Sequence, residues 1–188
     1  MKLLYTLLLA LLLSACGTGN NRALPPHNFS ITNDSGLFFK NVRQLYYDFQ
    51  EIPPGSNRYV YRIKSRNHSD RSPLIYPTLM IDWVKEEASI LIEPNNYPGI
   101  PILLNIKIDC SEKAEVSYAV LDERGKENML DFALKIYQAI EQGCILSLEI
   151  EQEFIPIMQD DMSKEAFRKA MLDYFALVRI SPKLNKKK

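Results

Sequence analysis

The sequence predicts an α+β domain, with a mainly antiparallel sheet and two helices on one face of it. Two observations support this prediction. Several short segments alternate apolar and polar residues or are rich in β-branched and aromatic residues, as strands are. Two longer segments nearer the C-terminus repeat apolar residues every three to four positions, as amphipathic helices do. Strands that precede segregated helices are typical of α+β domains.

The strand-like segments come first along the chain. In order they are 37–39, 45–49, 59–63, 78–84, 89–92, 102–108, 116–121 and 145–150. Residues 78–93 predict a hairpin, because a charged turn at 85–87 separates two apolar strands. Pro156 is expected to end the strand region.

Two helices are predicted after residue 125. Asn128 is a suitable N-cap for the first, and Gly143 fits its C-terminal end. Ser163 is expected to cap the second, whose apolar stripe begins at Phe167. The strand, helix and strand between Val116 and Ile150 fit a right-handed crossover unit.

The N-terminus has the order of a secretory signal. Lys2 is followed by an apolar run over 3–13 and by the small pair 14–15, directly before Cys16. The run is shorter than the about 20 apolar residues that a membrane span needs. The pattern resembles the lipobox of bacterial lipoproteins, in which the cysteine is alkylated with a diacylglyceryl group and becomes an acylated N-terminus. An ordinary cleaved signal peptide, with Cys16 as an incidental thiol, is the alternative.

The resemblance implies a domain organisation and a location. The expected parts are a signal peptide (1–15), the lipidated Cys16 with a flexible tether (16–28), a single α+β domain (29–182) and a basic tail (183–188). Gly17 follows the cysteine, where many lipoproteins retained at the inner membrane have Asp. No acidic residue lies in 17–21. By resemblance to these sorting patterns, we expect the outer membrane, facing the periplasm; a host with one membrane would carry the protein on its outside.

Charge and cysteine content limit the possible partners. Removing residues 1–15 removes one lysine, so 22 basic and 23 acidic side chains remain and the net charge is −1. This balance argues against a nucleic-acid surface, which needs a basic excess. Cys110 and Cys144 are the remaining cysteines, and export favours a disulfide between them. Two separate buried thiols are the alternative.

The sequence contains no recognisable catalytic or metal-binding motif. The two histidines, His27 and His68, belong to no metal-ligand pattern, and no phosphate-binding glycine loop is present. We therefore expect no cofactor and no enzymatic activity. Carboxylates on the predicted hairpin are the weaker enzymatic alternative, and they are Asp82, Glu86, Glu87 and Glu93.

The best predicted contact site is the proline-rich loop 93–101. Asn95, Asn96 and Tyr97 offer amide and phenol groups there, although Tyr97 could instead cover the sheet. Trp83 with Tyr76 could stack a sugar ring, or be core residues. The leading interpretation is a non-enzymatic lipid-anchored protein that supports or joins a cell-envelope assembly. The alternative is a lipoprotein that binds a glycan or another small molecule. A flat apolar patch favours the first, and a concave polar pocket favours the second.

Overall fold

The computed structural model describes residues 27–110, 115–121 and 125–180. Cys16, the tether up to residue 26 and the basic tail lie outside the described residues. The helices are α1 (Asn33–Phe38), α2 (Lys126–Glu141) and α3 (Asp161–Val178). The strands are β1 (Tyr47–Glu51), β2 (Arg58–Ile63), β3 (Ile75–Asp82), β4 (Glu87–Pro94), β5 (Leu104–Cys110), β6 (Glu115–Leu121), β7 (Ile145–Ile150) and β8 (Glu153–Ile157).

The eight strands form two antiparallel sheets, which confirms the α+β class but divides the strands differently from the single expected sheet. The first sheet has the order β1-β2-β3-β4 and includes the predicted hairpin. The second has the order β6-β5-β7-β8. The local pattern of a strand does not encode which distant strand it joins, so this division follows from the tertiary structure.

The predicted crossover is found in the second sheet in a split form. β6 and β7 are both antiparallel to β5, so they run parallel to each other on its two sides. Helix α2 connects them. Pro156 lies inside β8 and does not end the strand region. β8 is an edge strand, where a residue without an N–H is tolerated.

The two long helices form a layer over the sheets. Helix α2 packs against β4 of the first sheet and against β6 and β7 of the second, whereas α3 packs against α2, β3 and β4. The apolar stripe of α3 is buried as predicted, from Phe167 to Tyr174.

Neither of the two predicted N-cap residues caps its helix. Helix α2 begins earlier, after Gly125, so Asn128 lies within its first turn. Asp160 caps α3 by accepting a hydrogen bond from the Ser163 backbone N–H. Ser163 is therefore the third helical residue, not the cap.

Residues 33–46 are helical, and the strand expected at 37–39 is wrong. Thr32 and Ser35 form a capping box that starts α1. A π-helical turn (Phe39–Arg43) and a 3-10 turn (Gln44–Tyr46) continue the segment to β1. The aromatic composition favours a strand locally, but the cap provides hydrogen-bond acceptors and donors that a helix start requires.

The first described residues clasp the last helix and the edge of the first sheet. The backbone N–H of Ala88 donates to the Phe29 carbonyl, and that of Ile31 to the Glu86 carbonyl, both at 2.7 Å. The Asn28 amide donates to the carbonyl of Val178, near the end of α3, also at 2.7 Å. This N-terminal segment thereby covers an edge strand.

A disulfide joins Cys110 to Cys144. Cys110 ends β5 and Cys144 immediately precedes β7, and these two strands are neighbours in the second sheet. The bond closes a loop that contains β6 and α2.

Candidate interaction surface

The outer side of the second sheet carries large apolar side chains in contact with solvent. Five of them are between 39% and 61% exposed, namely Val116, Tyr118, Val120, Ile145 and Phe154, and we call these five the apolar sheet face. The strand register arranges them in three rows with polar residues between them. The first two rows are Val116–Asp109–Ile145 and Tyr118–Lys107–Ser147–Pro156. The third consists of the pairs Val120–Asn105 and Glu149–Phe154, which the hydrogen bond from Asn105 to Glu149 connects.

The apolar sheet face points outward because the other side of the same strands is covered by α2. Alternate residues of a strand point to opposite faces. On β6 Ala119 and Leu121 are buried against the helix layer, which leaves the two valines and the tyrosine outside. The sheet thus has apolar residues on both faces. An antiparallel sheet with one face in water usually has polar residues on that face.

Two contacts organise this surface. The rings of Tyr118 and Phe154 lie 6.0 Å apart between centroids, although their strands are at opposite edges of the sheet. Between these edges, the Asn105 amide donates to Glu149 at 2.5 Å. The side-chain oxygen Oδ1 of Asn105 is buried and, among the described residues, has no hydrogen-bond partner. Such groups are rare in native proteins.

The first sheet carries a different feature, a polar cleft of about 260 Å³ beside the β2–β3 connection. Its walls include Arg62, Tyr76, Thr78, Glu93 and Asn95. The Arg62 guanidinium holds the Glu93 carboxylate through two hydrogen bonds of 2.7 Å, and Thr78 donates to the same carboxylate at 2.9 Å. The hydrogen bond to Glu93 raises the pKa of Arg62.

Two further polar side chains of the cleft, Tyr76 and Arg66, also have partners within the fold. The Tyr76 hydroxyl donates to the Asn67 carbonyl, and burial raises the pKa of Tyr76 to about 12. Arg66 donates to the Ile63 carbonyl at 2.9 Å and lies 3.3 Å from Asp48. The Arg62, Arg66, Tyr76 and Thr78 side chains of the cleft therefore already have partners within the fold.

The predicted contact loop borders this cleft, and its three residues have different roles. The Asn95 amide donates to the carbonyls of Ser69 and Ser72 and accepts from the Leu74 backbone N–H, so it fastens the β2–β3 connection. The Asn96 side chain is exposed, whereas Tyr97 is half-buried against the core. Of the three, Asn96 is the most open to a partner.

The hairpin brings two of the four candidate enzymatic carboxylates, Asp82 and Glu87, together at one end and leaves Glu93 at the other. The hairpin register pairs Asp82 with Glu87 at one end and Tyr76 with Glu93 at the other. A hydrogen bond from the Lys85 backbone N–H lowers the pKa of Asp82, with a smaller contribution from Arg58. Asp82 thus supports the hairpin turn, and Glu93 belongs to the cleft.

The possible stacking pair is also separated. Trp83 lies beside the buried Phe39 and donates to the Tyr61 hydroxyl at 3.2 Å. Tyr76 lies at the far end of β3. The two rings therefore cannot stack on one sugar.

The two histidines lie in different parts of the fold. His27 lies 2.9 Å from Asp131 on α2, and His68 lines the polar cleft. Within the described ranges, no three His, Cys, Asp or Glu side chains form a group that could hold a metal ion.

Sequence reasoning missed the apolar sheet face, although the signal was present. In the segment 116–121, Val116, Tyr118 and Val120 alternate with Ser117, Ala119 and Leu121, so both faces of the strand carry apolar residues. The pattern does not say which face is inside, because that depends on the helix packed against it.

Membrane-spanning helices and similarity to known proteins are two further features that can indicate a function. No helix in the described part of the chain is long and apolar enough to cross a membrane. No protein-family model, no curated protein and no solved structure matches the sequence or the fold.

Proposed function

We propose that this protein is a non-enzymatic, lipid-anchored subunit of a cell-envelope assembly, and that the apolar sheet face binds its protein partner. The observation that carries the proposal is the set of five large apolar side chains exposed on one sheet surface. Several large apolar side chains exposed on one side of a sheet, with polar residues among them, are typical of a protein interaction site.

The chemistry of this face suits a protein partner. Aromatic and aliphatic side chains border the sheet, and Lys107, Asp109 and Glu149 provide both signs of charge between them. Tyrosine and phenylalanine are enriched in protein interfaces, where charged side chains fix orientation. The mixed charges and the near-neutral whole chain argue against a nucleic acid.

The anchor rests on the sequence around Cys16, which resembles a lipobox. Two or more acyl chains give a lasting membrane hold, whereas one chain binds only marginally. The proposed location is the outer membrane, with the domain on the periplasmic side, because Gly17 follows the cysteine and no acidic residue follows in 17–21.

A matched pair of substitutions tests the proposed binding face. Val120→Asp puts a charge on the apolar sheet face, where Val120 is 52% exposed. Val84→Asp makes the same change on the β3–β4 turn, where Val84 is 71% exposed. After crosslinking in intact cells, the proteins that co-purify with the wild type should be lost with Val120→Asp and retained with Val84→Asp. Equal recovery with both variants would refute the binding face.

The polar cleft gives the ligand-binding alternative a specific site but weaker support. Ligand pockets usually occupy about 300–1,000 Å³ and are largely apolar with a few free polar groups. This cleft has about 260 Å³, and its Arg62, Tyr76 and Asn95 side chains are engaged within the fold. Titration with soluble peptidoglycan fragments, followed by the amide resonances of Asn95 and Asn96, would reveal such binding; unchanged resonances would contradict it.

A further inference from the structure

A second apolar surface lies on the helical segment that precedes β1. Its exposed members are Leu37, Phe38, Val42, Leu45 and Tyr46, each between 43% and 58% exposed, and we call them the helical apolar patch. They recur at intervals that place them along one side of the helical turns. This side faces away from the core, so the segment has its apolar side outward.

The opposite side of the segment is fixed to the domain. Phe39 is buried, with its ring 5.2 Å from Tyr61 and 5.6 Å from Tyr47. The Ser35 hydroxyl donates to the Leu177 carbonyl at 2.7 Å, and Arg43 binds Asp173 of α3. These contacts keep the helical apolar patch outside, because the segment cannot rotate without breaking them.

The helical apolar patch differs from the apolar sheet face in the charges around it. No acidic residue occurs between Ser35 and Tyr47, whereas Lys40 and Arg43 lie within the segment. Lys64 directly follows β2, and its ammonium group donates to the Leu45 carbonyl of the segment at 3.0 Å. Arg43 is neutralised by Asp173, so Lys40 and Lys64 are the cations beside the patch that lack a carboxylate partner among the described residues; the Lys40 ammonium lies 4.0 Å from the centre of the Trp83 ring. Aliphatic and aromatic residues bordered by lysines are typical of surfaces that lie in the headgroup region of a bilayer.

The position of the segment in the chain supports the same partner. Ten residues, 17–26, separate Cys16 from the first described residue. Fully extended, they span at most about 35 Å. If Cys16 is lipidated, the domain is held within that distance of the bilayer, which raises the effective concentration of lipid at its surface.

We infer that the helical apolar patch docks onto the headgroup region of the bilayer that holds the anchor, with Lys40 and Lys64 toward anionic lipids. This inference rests on the proposed lipid anchor. Docking would fix the orientation of the domain and leave the apolar sheet face, on the other sheet, for the protein partner.

A site-specific label tests the inference on the lipidated full-length protein. Cys110 and Cys144 are joined and the Cys16 sulfur is alkylated in the lipidated protein, so one introduced cysteine provides the only reactive thiol for an environment-sensitive fluorophore. Leu45→Cys places it on the helical apolar patch. Leu103→Cys is the matched control, because Leu103 is similarly exposed, at 50% against 58%, and lies beside the second sheet. The protein is incorporated into vesicles of phosphatidylethanolamine and phosphatidylglycerol.

We expect the emission to shift to the blue and rise at position 45 but not at position 103, and the shift to be lost in a Phe38→Asp background. An unshifted label at 45 in protein that floats with the vesicles would overturn the docking while leaving the anchor intact. Equal shifts at both positions, or a shift at 45 that depends on protein concentration without lipid, would also overturn it.

Failure of the anchor has a different signature. If the full-length protein does not float with vesicles, the anchor proposal fails. The docking is then tested by adding the same vesicles to unlipidated protein labelled at position 45 in a Cys16→Ser background, where residue 45 carries the single reactive thiol. A shift at position 45 that weakens with salt would support it, and no shift would overturn it.

Discussion

The guanidinium of Arg43 grips the carboxylate of Asp173 through two hydrogen bonds, with Nε 2.7 Å from Oδ1 and Nη2 3.0 Å from Oδ2. The Tyr47 hydroxyl donates to the same carboxylate at 2.6 Å. Burial, with the nearby negative Asp173, raises the pKa of Tyr47 far above its ordinary value. The carboxylate therefore ties the helical segment and the first strand to α3.

Asp173→Ala should destabilise the domain by about 3 kcal/mol, because it leaves the partly buried Arg43 and the buried Tyr47 hydroxyl without their partner. Glu141→Ala removes one partner of another arginine pair, Glu141–Arg168, whose side chains are about a third exposed. Its expected cost is below about 1 kcal/mol. Urea unfolding of both variants measures the difference, and equal costs would contradict a structural role for Asp173.

Adjacent asparagines provide a second matched comparison. Asn95→Ala removes three hydrogen bonds that fasten the β2–β3 connection, so we expect a loss of about 2 kcal/mol. Asn96→Ala truncates an exposed side chain and should change stability by less than about 0.5 kcal/mol. Thermal unfolding distinguishes them. If Asn95→Ala unfolds at the wild-type temperature, the loop is not held as described.

The disulfide should make the fold sensitive to reductant. Closing a loop with a sequence separation of 34 residues stabilises the domain by about 3–4 kcal/mol in the chain-entropy model. Mass mapping without reduction should recover a Cys110–Cys144 peptide, and dithiothreitol should lower the melting temperature. The double variant Cys110→Ala, Cys144→Ala is the control, since reductant should not affect it.

The N-cap of α3 predicts a dependence of stability on pH. Burial alone would raise the pKa of Asp160, but hydrogen bonds from the Ser163 backbone N–H and hydroxyl outweigh it and lower the pKa below its ordinary value. The folded-state pKa is depressed, so the stabilisation is complete above the unfolded pKa and is lost as the pH falls through the folded one. Asp160→Ala should cost about 1 kcal/mol at neutral pH.

This cost should shrink as the solution is acidified below about pH 4, where an unfolded aspartate takes up its proton. Asp160→Asn keeps a capping oxygen and serves as the control, with a smaller loss. Denaturant unfolding across this pH range gives the result. A constant difference between Asp160→Ala and the wild type would mean that the charge of Asp160 contributes nothing.

The proposed anchor has a direct chemical test. Cys16→Ser should remain an unprocessed precursor and should not incorporate labelled fatty acid, because the acylated sulfur is absent. Cys110→Ser keeps the lipobox and should be labelled normally. Normal labelling of Cys16→Ser would disprove lipidation at that residue.

Periodicity predicted the elements whose partners are close in sequence. The 78–93 hairpin and both long helices are found, because their apolar residues face the core at regular intervals. It failed at 37–39, where Leu37 and Phe38 face solvent and only the Thr32–Ser35 capping box marks the helix. The face of β6 could not be assigned either, since Tyr118 points outward only because α2 covers the side of Ala119. Both failures occur where apolar residues are exposed, and there we place the two interaction surfaces.

The clasp formed by Phe29, Ile31 and Asn28 has a mechanical consequence. A domain pulled by its partner while its N-terminus is held in a bilayer would carry that tension through this segment. The load would meet the β4 edge at Ala88 and Ile31 and the end of α3 at Val178 before it reached the interior of either sheet. These hydrogen bonds would therefore carry the load first, and the second sheet, where we propose that the partner binds, would be loaded only after they break.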